Sequence, residues 1–242
     1  MSDFRVCGLV PTYDNPRTVR AVVEPLATHV ERVIVVDDGS GPAGRAAAES
    51  LARDGLAEVI RRPTNGGKGA AVKTGLRRAK ELGFTHALQV DADGQHDVGD
   101  APRFIAAARE SPGALIAGQP VFDETAPRSR LHARKITRFW ADLETGGRVI
   151  ADPLCGYRVY PVEATLALRV YGDAMDFDPE VAVRLAWSGA PVVNLPTRVR
   201  YVSRADGGVS HFRLGRDNAL ISLMHSRLCI EAMTRWAKGR LG

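Results

Sequence analysis

The chain has 242 residues, 45% of them apolar and 25% charged, with a formal net charge of +5. That is an ordinary globular composition, long enough for one large α/β domain with a sizeable core, and it excludes a disordered chain. The basic balance fits anionic ligands (nucleotide diphosphates, lipid phosphates, acidic membrane or nucleic acid) without choosing among them.

In chain order, residues 6–10 read as a strand, 18–29 as a helix, 32–36 as a strand, 44–53 as an Ala-rich helix and 58–60 as a strand. Residues 69–82 are predicted helical, 87–90 a strand, 102–110 a helix and 114–118 a strand. This alternation with short connections predicts βαβ units and a mostly parallel sheet. Functional groups in such a sheet gather beyond the carboxyl ends of the strands. The second half is less regular. Residues 128–143 read as a basic helix, 155–160 as strand-like, 178–187 as a helix stopped at Gly189, and 192–195 as a strand closed by Pro196. A long amphipathic helix over 215–238 places Leu220, Leu223, Met224, Leu228 and Trp236 near one face. That face serves either docking on the core or an interfacial position on anionic lipid. The expected division is a domain over 1–214 and an appended C-terminal helix over 215–242, packed on the domain or membrane-peripheral.

Cys7, Cys155 and Cys229 are scattered and odd in number, so neither a disulfide framework nor a zinc site is expected, and a reducing cytoplasm is the simplest home. No charged-then-apolar leader opens the chain, and no apolar run approaches the ~20 residues that cross a bilayer. The expectation is a protein that is not membrane-integral.

Three polar clusters follow apolar runs. Asp91 and Asp93 come after Leu88-Gln89-Val90; two carboxylates one residue apart repel unless a cation or donors lie between them. They suit a hard divalent cation, or a solvated turn at Gly94. Asp37 and Asp38 follow residues 32–36 and either accept from a ribose hydroxyl or base N–H, or simply make a turn with Gly39-Ser40. Pro11-Thr12-Tyr13 ends the first strand. Asn65-Gly66-Gly67-Lys68-Gly69 opens the third helix, where glycines and a helix N-terminus favour phosphate and Lys68 adds charge; a plain connection with a surface lysine is the alternative. Neither a Walker A spacing nor G-x-G-x-x-G occurs.

Arg130, Arg134 and Arg138 share one helical face, suited to phosphate, an acidic bilayer or solvent. Asp178 and Glu180 begin a helix, as a general base or as partners of the helix dipole. Arg204, Ser210, His211 and Arg213 surround Gly207-Gly208, a hinge able to close over a diphosphate.

Taken in order, these motifs, with Asp152 and Gly156-Tyr157-Arg158, resemble family-2 glycosyltransferases of the GT-A fold, in the dolichyl-phosphate-mannose-synthase-like branch. The resemblance runs from about Val6 to Arg213. It implies a single Rossmann-like, mostly parallel central sheet flanked by helices. It implies that Pro11, Tyr13, Val36 and Asp38, with Asp37, Lys68, Asp91 and Ala92 beside them, serve the nucleotide-sugar. It implies that Asp91, Asp93 and Gln95 handle Mg²⁺ or Mn²⁺, and that Arg130, Arg134, Arg204 and Ser210 meet donor or acceptor phosphates. The chain departs from the pattern in Asp14-Asn15, where Asn-Glu is usual, and in His211, where lysine is usual.

The expected activity is metal-dependent, inverting transfer from a nucleotide-diphosphate sugar to a lipid-linked acceptor, polyprenyl phosphate included, or to a hydroxyl. A phosphate acceptor needs no strong base; a hydroxyl acceptor requires one, with Asp178 or Glu180 as candidates and Asp93 supporting catalysis. A sugar-phosphate nucleotidyltransferase and a non-catalytic binder of anionic membrane or nucleic acid are the alternatives. With 6% aromatics and no basic-aromatic platform, nucleic acid is not expected as a partner.

Overall fold

The computed structural model describes residues 3–122, 128–147, 149–200 and 213–239. Its first half alternates: β1 (Val6–Thr12), α1 (Val19–Ala27), β2 (Val33–Asp37), α2 (Pro42–Arg53), β3 (Glu58–Arg61), α3 (Lys68–Glu81), β4 (His86–Gln89), α4 (Ala101–Glu110) and β5 (Leu115–Phe122). Then follow α5 (Arg128–Thr145), β6 (Arg158–Pro161), α6 (Val162–Leu166), α7 (Phe177–Trp187), β7 (Val192–Val199) and α8 (Leu214–Ala237).

One seven-stranded sheet has the order β3-β2-β1-β4-β6-β5-β7. The strands β1, β2, β3 and β4 pair in parallel, as do β5 and β7, whereas β6 runs antiparallel to both β4 and β5. Both faces are covered, which is why β1 and β2 read as near-continuous apolar runs. Period-2 alternation sends Cys7, Leu9, Ile34 and Val36 into one core with Leu76 of α3, Val181 of α7 and Leu228 of α8. Val6, Val10, Val33 and Val35 face the other way, onto Val22 of α1, Leu51 of α2 and Phe104 of α4.

The chain moves outward from β1 to β3 on one side and restarts at β4 on the other. The topological switch point therefore lies between β1 and β4, and a crevice opens beyond their carboxyl ends. Because β6 is antiparallel, its entry also lies at that end: Arg158 pairs with Gln89.

Some details differ from expectation, among them the strand expected over 114–118, which runs Leu115–Phe122. The strand predicted to stop at Pro196 runs through it to Val199. Strand β7 lies at the sheet edge, where a residue lacking an N–H is tolerated on the open side. The segment expected as a strand from Cys155 begins pairing only at Arg158, and a short helix, α6, follows directly. The apolar face assigned to the last helix splits. Met224 and Leu228 are buried in the core, whereas Leu223 and Trp236 are well exposed, so α8 is apolar on two sides. Among the described residues, no helix is long and apolar enough to cross a membrane.

Candidate functional site

A cleft of about 540 Å³ opens at the switch point, lined by Pro11, Thr12, Tyr13, Asn15 and Asp38 from the β1 and β2 ends and by Asp91, Ala92, Asp93, Gln95 and His96 after β4. Lys68 of α3, Asp178 of α7, Arg134 of α5, and Arg213, Arg216 and Asp217 at the start of α8 complete the wall. Its size suits a nucleotide-scale ligand.

The two β2 carboxylates have separate duties. Asp37 is buried and spent on its own turn, accepting from Ser40 N at 2.9 Å and from Arg61 at 3.1 Å. It does not line the cleft, and Val36 packs its side chain into the core beneath α3; the direct donor contacts expected of these two side chains are corrected accordingly. Asp38 does line the cleft. It accepts from Gly67 N at 2.7 Å and Gly66 N at 3.1 Å, and pairs with Arg62 at 3.1 Å. Burial raises its pKa, and these amides and the guanidinium offset only part of that effect.

The glycine loop works differently from a phosphate cradle. Its free amides are taken by protein: Gly66 and Gly67 by Asp38, Gly69 by Ala174 O at 3.3 Å and Ala70 by Asp173 O at 3.0 Å. Gly67 adopts φ +100°, and a Cβ there would lie 2.4 Å from Asp173 O, so the glycine serves this close approach. What reaches the cleft is the Lys68 side chain, which is largely buried rather than a surface lysine.

Lys68 Nζ lies 2.8 Å from Asp91 Oδ1, 2.9 Å from Asp91 Oδ2 and 2.7 Å from Asp178 Oδ2. Burial disfavours its charge, but the two carboxylates outweigh that and hold its pKa above the ordinary lysine value. Burial likewise opposes the charge on Asp91, and the ammonium outweighs it and holds that carboxyl below the usual range. Asp91 is further oriented by Gln89, itself hydrogen-bonded by the Tyr160 hydroxyl at 3.2 Å. Asp93 accepts from Gln95 N at 3.0 Å, and Thr18 Oγ1 donates to Ala92 O at 2.6 Å, tying this loop to α1. Next to it, burial pulls the His96 imidazole down to about 4.

Arg158, which has no exposed surface, staples the far wall: it donates to Cys155 O and Pro153 O at 2.6 Å and to Asp178 O at 2.5 Å. This fixes the start of α7 and the approach to Gly156. Arg134 lines the cleft and pairs with Asp152 at 2.6 Å.

Glu180 corrects an expectation. It is fully buried away from the cleft, accepting from Gly172 N at 2.7 Å and Arg184 at 2.7 Å and forming an ion pair with Arg227 at 2.8 Å. An acceptor cannot reach it, so it is a structural hub and not a general base. Asp178 does face the cleft, with Oδ2 on Lys68 and Oδ1 buried without a partner. Arg130 lies on α5, in the part of the helix whose side chains are not described, and Arg204, Ser210 and His211 lie outside the described residues. His96, Arg216 and Asp217 join the cleft without having been expected there, and Asn15, where the chain departs from the family pattern, lines it too.

Among the described residues, no three His, Cys, Asp or Glu side chains cluster as a metal cage. Two carboxylates on one turn beside a cleft do fit a hard divalent ion whose remaining ligands are waters and substrate phosphates.

Residues 8–165 match the family model "Glycosyl transferase family 2". The chain is 28% identical over 222 residues to the glycosyltransferase AglJ of Haloferax volcanii, covering 90% of this chain and 70% of that one. It is 27% identical over 224 residues to the undecaprenyl-phosphate mannosyltransferase of Micrococcus luteus, covering 84% and 86%. The glucosyl-3-phosphoglycerate synthase of Mycobacterium tuberculosis, solved with Mn²⁺, UDP-glucose and phosphoglyceric acid, superposes with a TM-score of 0.70 at 16% identity, covering 94% of this chain and 80% of that one. At that identity the likeness carries the GT-A fold alone. With the cleft at the switch point and the ordered motifs around it, the chain belongs to glycosyl transferase family 2, in its dolichyl-phosphate-mannose-synthase-like branch.

Proposed function

We propose that this protein transfers a sugar, with inversion and with the help of a divalent metal, from a nucleotide-diphosphate sugar to a polyprenyl phosphate at a membrane surface. The observation that carries this reading is the state of Asp178. It is the carboxylate of the cleft placed for a general base, and its outer oxygen is held by the Lys68 ammonium at 2.7 Å. A hydroxyl acceptor needs that oxygen; a phosphate acceptor is already an anionic nucleophile and does not. The cleft wall also carries Arg134, Arg213 and Arg216, cations suited to an acceptor phosphate.

In this mechanism the acceptor phosphate oxygen attacks the anomeric carbon from the face opposite the diphosphate. The bond to the diphosphate breaks, and its electron pair leaves with the nucleotide. Asp91 and Asp93, with Gln95 beside them, would hold Mg²⁺ or Mn²⁺, which supplies charge compensation for the departing diphosphate. Lys68, anchored on Asp178, shares that load as charge develops.

A peripheral membrane position is supported by the apolar surface. Eight of the ten exposed large hydrophobic residues among those described lie on the packed pair α5 and α8. On α5 they are Ile136, Phe139, Trp140 and Leu143; on α8 they are Leu223, Ile230, Met233 and Trp236. Both helices also line the cleft, so an acceptor held in a bilayer would enter beside them. The similarity to a mannosyltransferase named for undecaprenyl phosphate supports the same acceptor class.

The test offers UDP- and GDP-sugars with Mn²⁺ to two acceptors of equal chain length, polyprenyl phosphate and polyprenol. Product is expected only from the phosphate, with the anomeric configuration inverted, and none in EDTA. Efficient transfer to the phosphate-free alcohol overturns the acceptor assignment.

A further inference from the structure

Lys68 does more than line the cleft. Its ammonium spans both oxygens of Asp91, at 2.8 and 2.9 Å, and reaches Asp178 at 2.7 Å. Those Asp91 oxygens are the ones a divalent ion would need. Gly156 packs beside this pair: a Cβ there would lie 2.4 Å from Asp91 Oδ2, 2.6 Å from Oδ1 and 2.4 Å from Lys68 Nζ, so the glycine leaves room for the contact. Both oxygens are engaged by the ammonium, so a divalent ion takes them only once the ammonium lets go.

Asp178 offers it an alternative anchor. This side chain is 3% exposed, fixed by Arg158 through its own carbonyl, and its Oδ1 is buried without a partner. An ammonium that let go of Asp91 would remain paired with Asp178 and regain a bond at Oδ1. Without Lys68, Asp91 and Asp178 would face the cleft with no ammonium between them, an arrangement that favours a free cation whether or not substrate is present.

We propose that Lys68 is a placeholder cation: it keeps Asp91 closed to divalent ions until a nucleotide diphosphate draws the ammonium aside, so that metal and donor enter together. This rests on the donor-site reading above and adds an order of binding to it. The diphosphate attracts the ammonium, Asp178 retains it, and Asp91 is freed only when phosphate oxygens are present to complete the coordination shell. Lys68 is thus a positioning residue for the metal site as well as a donor contact.

The experiment measures Mn²⁺ binding by EPR and calorimetry to wild type, Lys68→Gln and Lys68→Arg, alone and with UDP or GDP. Wild type is expected to bind Mn²⁺ alone weakly and at least tenfold more tightly with one of the two nucleotides. Lys68→Gln is expected to bind Mn²⁺ alone at least tenfold more tightly than wild type, and Lys68→Arg to keep the wild-type coupling. If Lys68→Gln binds Mn²⁺ alone no tighter than wild type while nucleotide coupling persists, the placeholder role is wrong and the donor site stands. If no protein binds Mn²⁺ with either nucleotide, the donor-site reading fails and the placeholder falls with it. Should Lys68→Gln not fold, wild type answers alone through the NMR signal of the Lys68 Cε–Hε pair. That signal is expected to move with Mg²⁺ plus nucleotide and not with Mg²⁺; a shift on Mg²⁺ alone overturns the proposal.

Discussion

Gly156 shows how much chemistry a missing side chain can carry. Substituting alanine drives a Cβ into Asp91 and Lys68 at distances no real contact shows, so those two side chains must shift. Gly156→Ala is expected to cost about 1–3 kcal/mol of stability from overpacking. It is also expected to lower kcat/KM at least about a hundredfold, because preorganised charge at the diphosphate is lost; denaturant titration and steady-state kinetics separate the two effects. Asp93→Asn tests the other carboxylate. The asparagine oxygen would still accept from Gln95 N, so that bond survives the change. Activity at fixed Mn²⁺ should fall by about two orders of magnitude or more. Unchanged turnover removes Asp93 from the metal site. At this scale the sequence was most informative where a polar pair follows an apolar run, as at Asp91 and Asp93. It was least informative where two neighbours of one type diverge. Nothing local distinguishes Asp37 from Asp38, yet alternation across a strand end turns one into the turn and the other into the cleft.

Helices α7 and α8 divide Glu180 from the chemistry. Its carboxylate collects Arg184 of α7, Arg227 of α8 and the amides of Tyr171 and Gly172, while Arg184 also grips Glu231 of α8 through two bonds of 2.9 Å. Glu180 therefore pins α8 and the segment whose carbonyls cap the start of α3. Glu180→Gln is expected to destabilise by about 3 kcal/mol, because it removes a fully buried counter-charge from the largely buried Arg184. The pH dependence of kcat should keep its shape, since no proton of the reaction passes through it; a lost titration limb contradicts that. The outer stripe of α8 behaves oppositely. Leu223, Ile230, Met233 and Trp236 are 65–74% exposed, so changing all four to serine should alter stability by no more than about 0.5 kcal/mol each. Co-sedimentation with anionic vesicles should nevertheless fall severalfold. Equal sedimentation of both proteins would exclude this stripe as the membrane contact. The amphipathic character of α8 was legible from residue spacing, but which of its two apolar sides turns inward was decided by packing against α5 and α7.

Across the whole molecule, stability carries a histidine signature. His86, at the start of β4, is buried between Thr85 Oγ1 at 2.8 Å and Pro112 O at 2.9 Å, and burial lowers its pKa below the ordinary 6.5. A depressed imidazole is neutral in the folded state while the unfolded chain takes up the proton. Its contribution is therefore intact above pH 6.5 and is lost as the pH falls below that value. Urea midpoints at pH 7.5 and 5.5 should differ more in wild type than in His86→Gln; equal differences would show that His86 does not carry the effect.

The sequence alone determined the α/β class, the parallel first half and the neighbourhood of the cleft, because strand periodicity, turn chemistry and the polar residues at strand ends are local properties of the chain. Tertiary structure alone decided which carboxylates reach the cleft. Lys68, Asp91, Gly156 and Asp178 come from four separate segments and meet only because β6 runs antiparallel beside β4 and Arg158 ties it to α7. Strand direction and the pairing of distant segments depend on the free energy of the whole core, which no window of sequence contains.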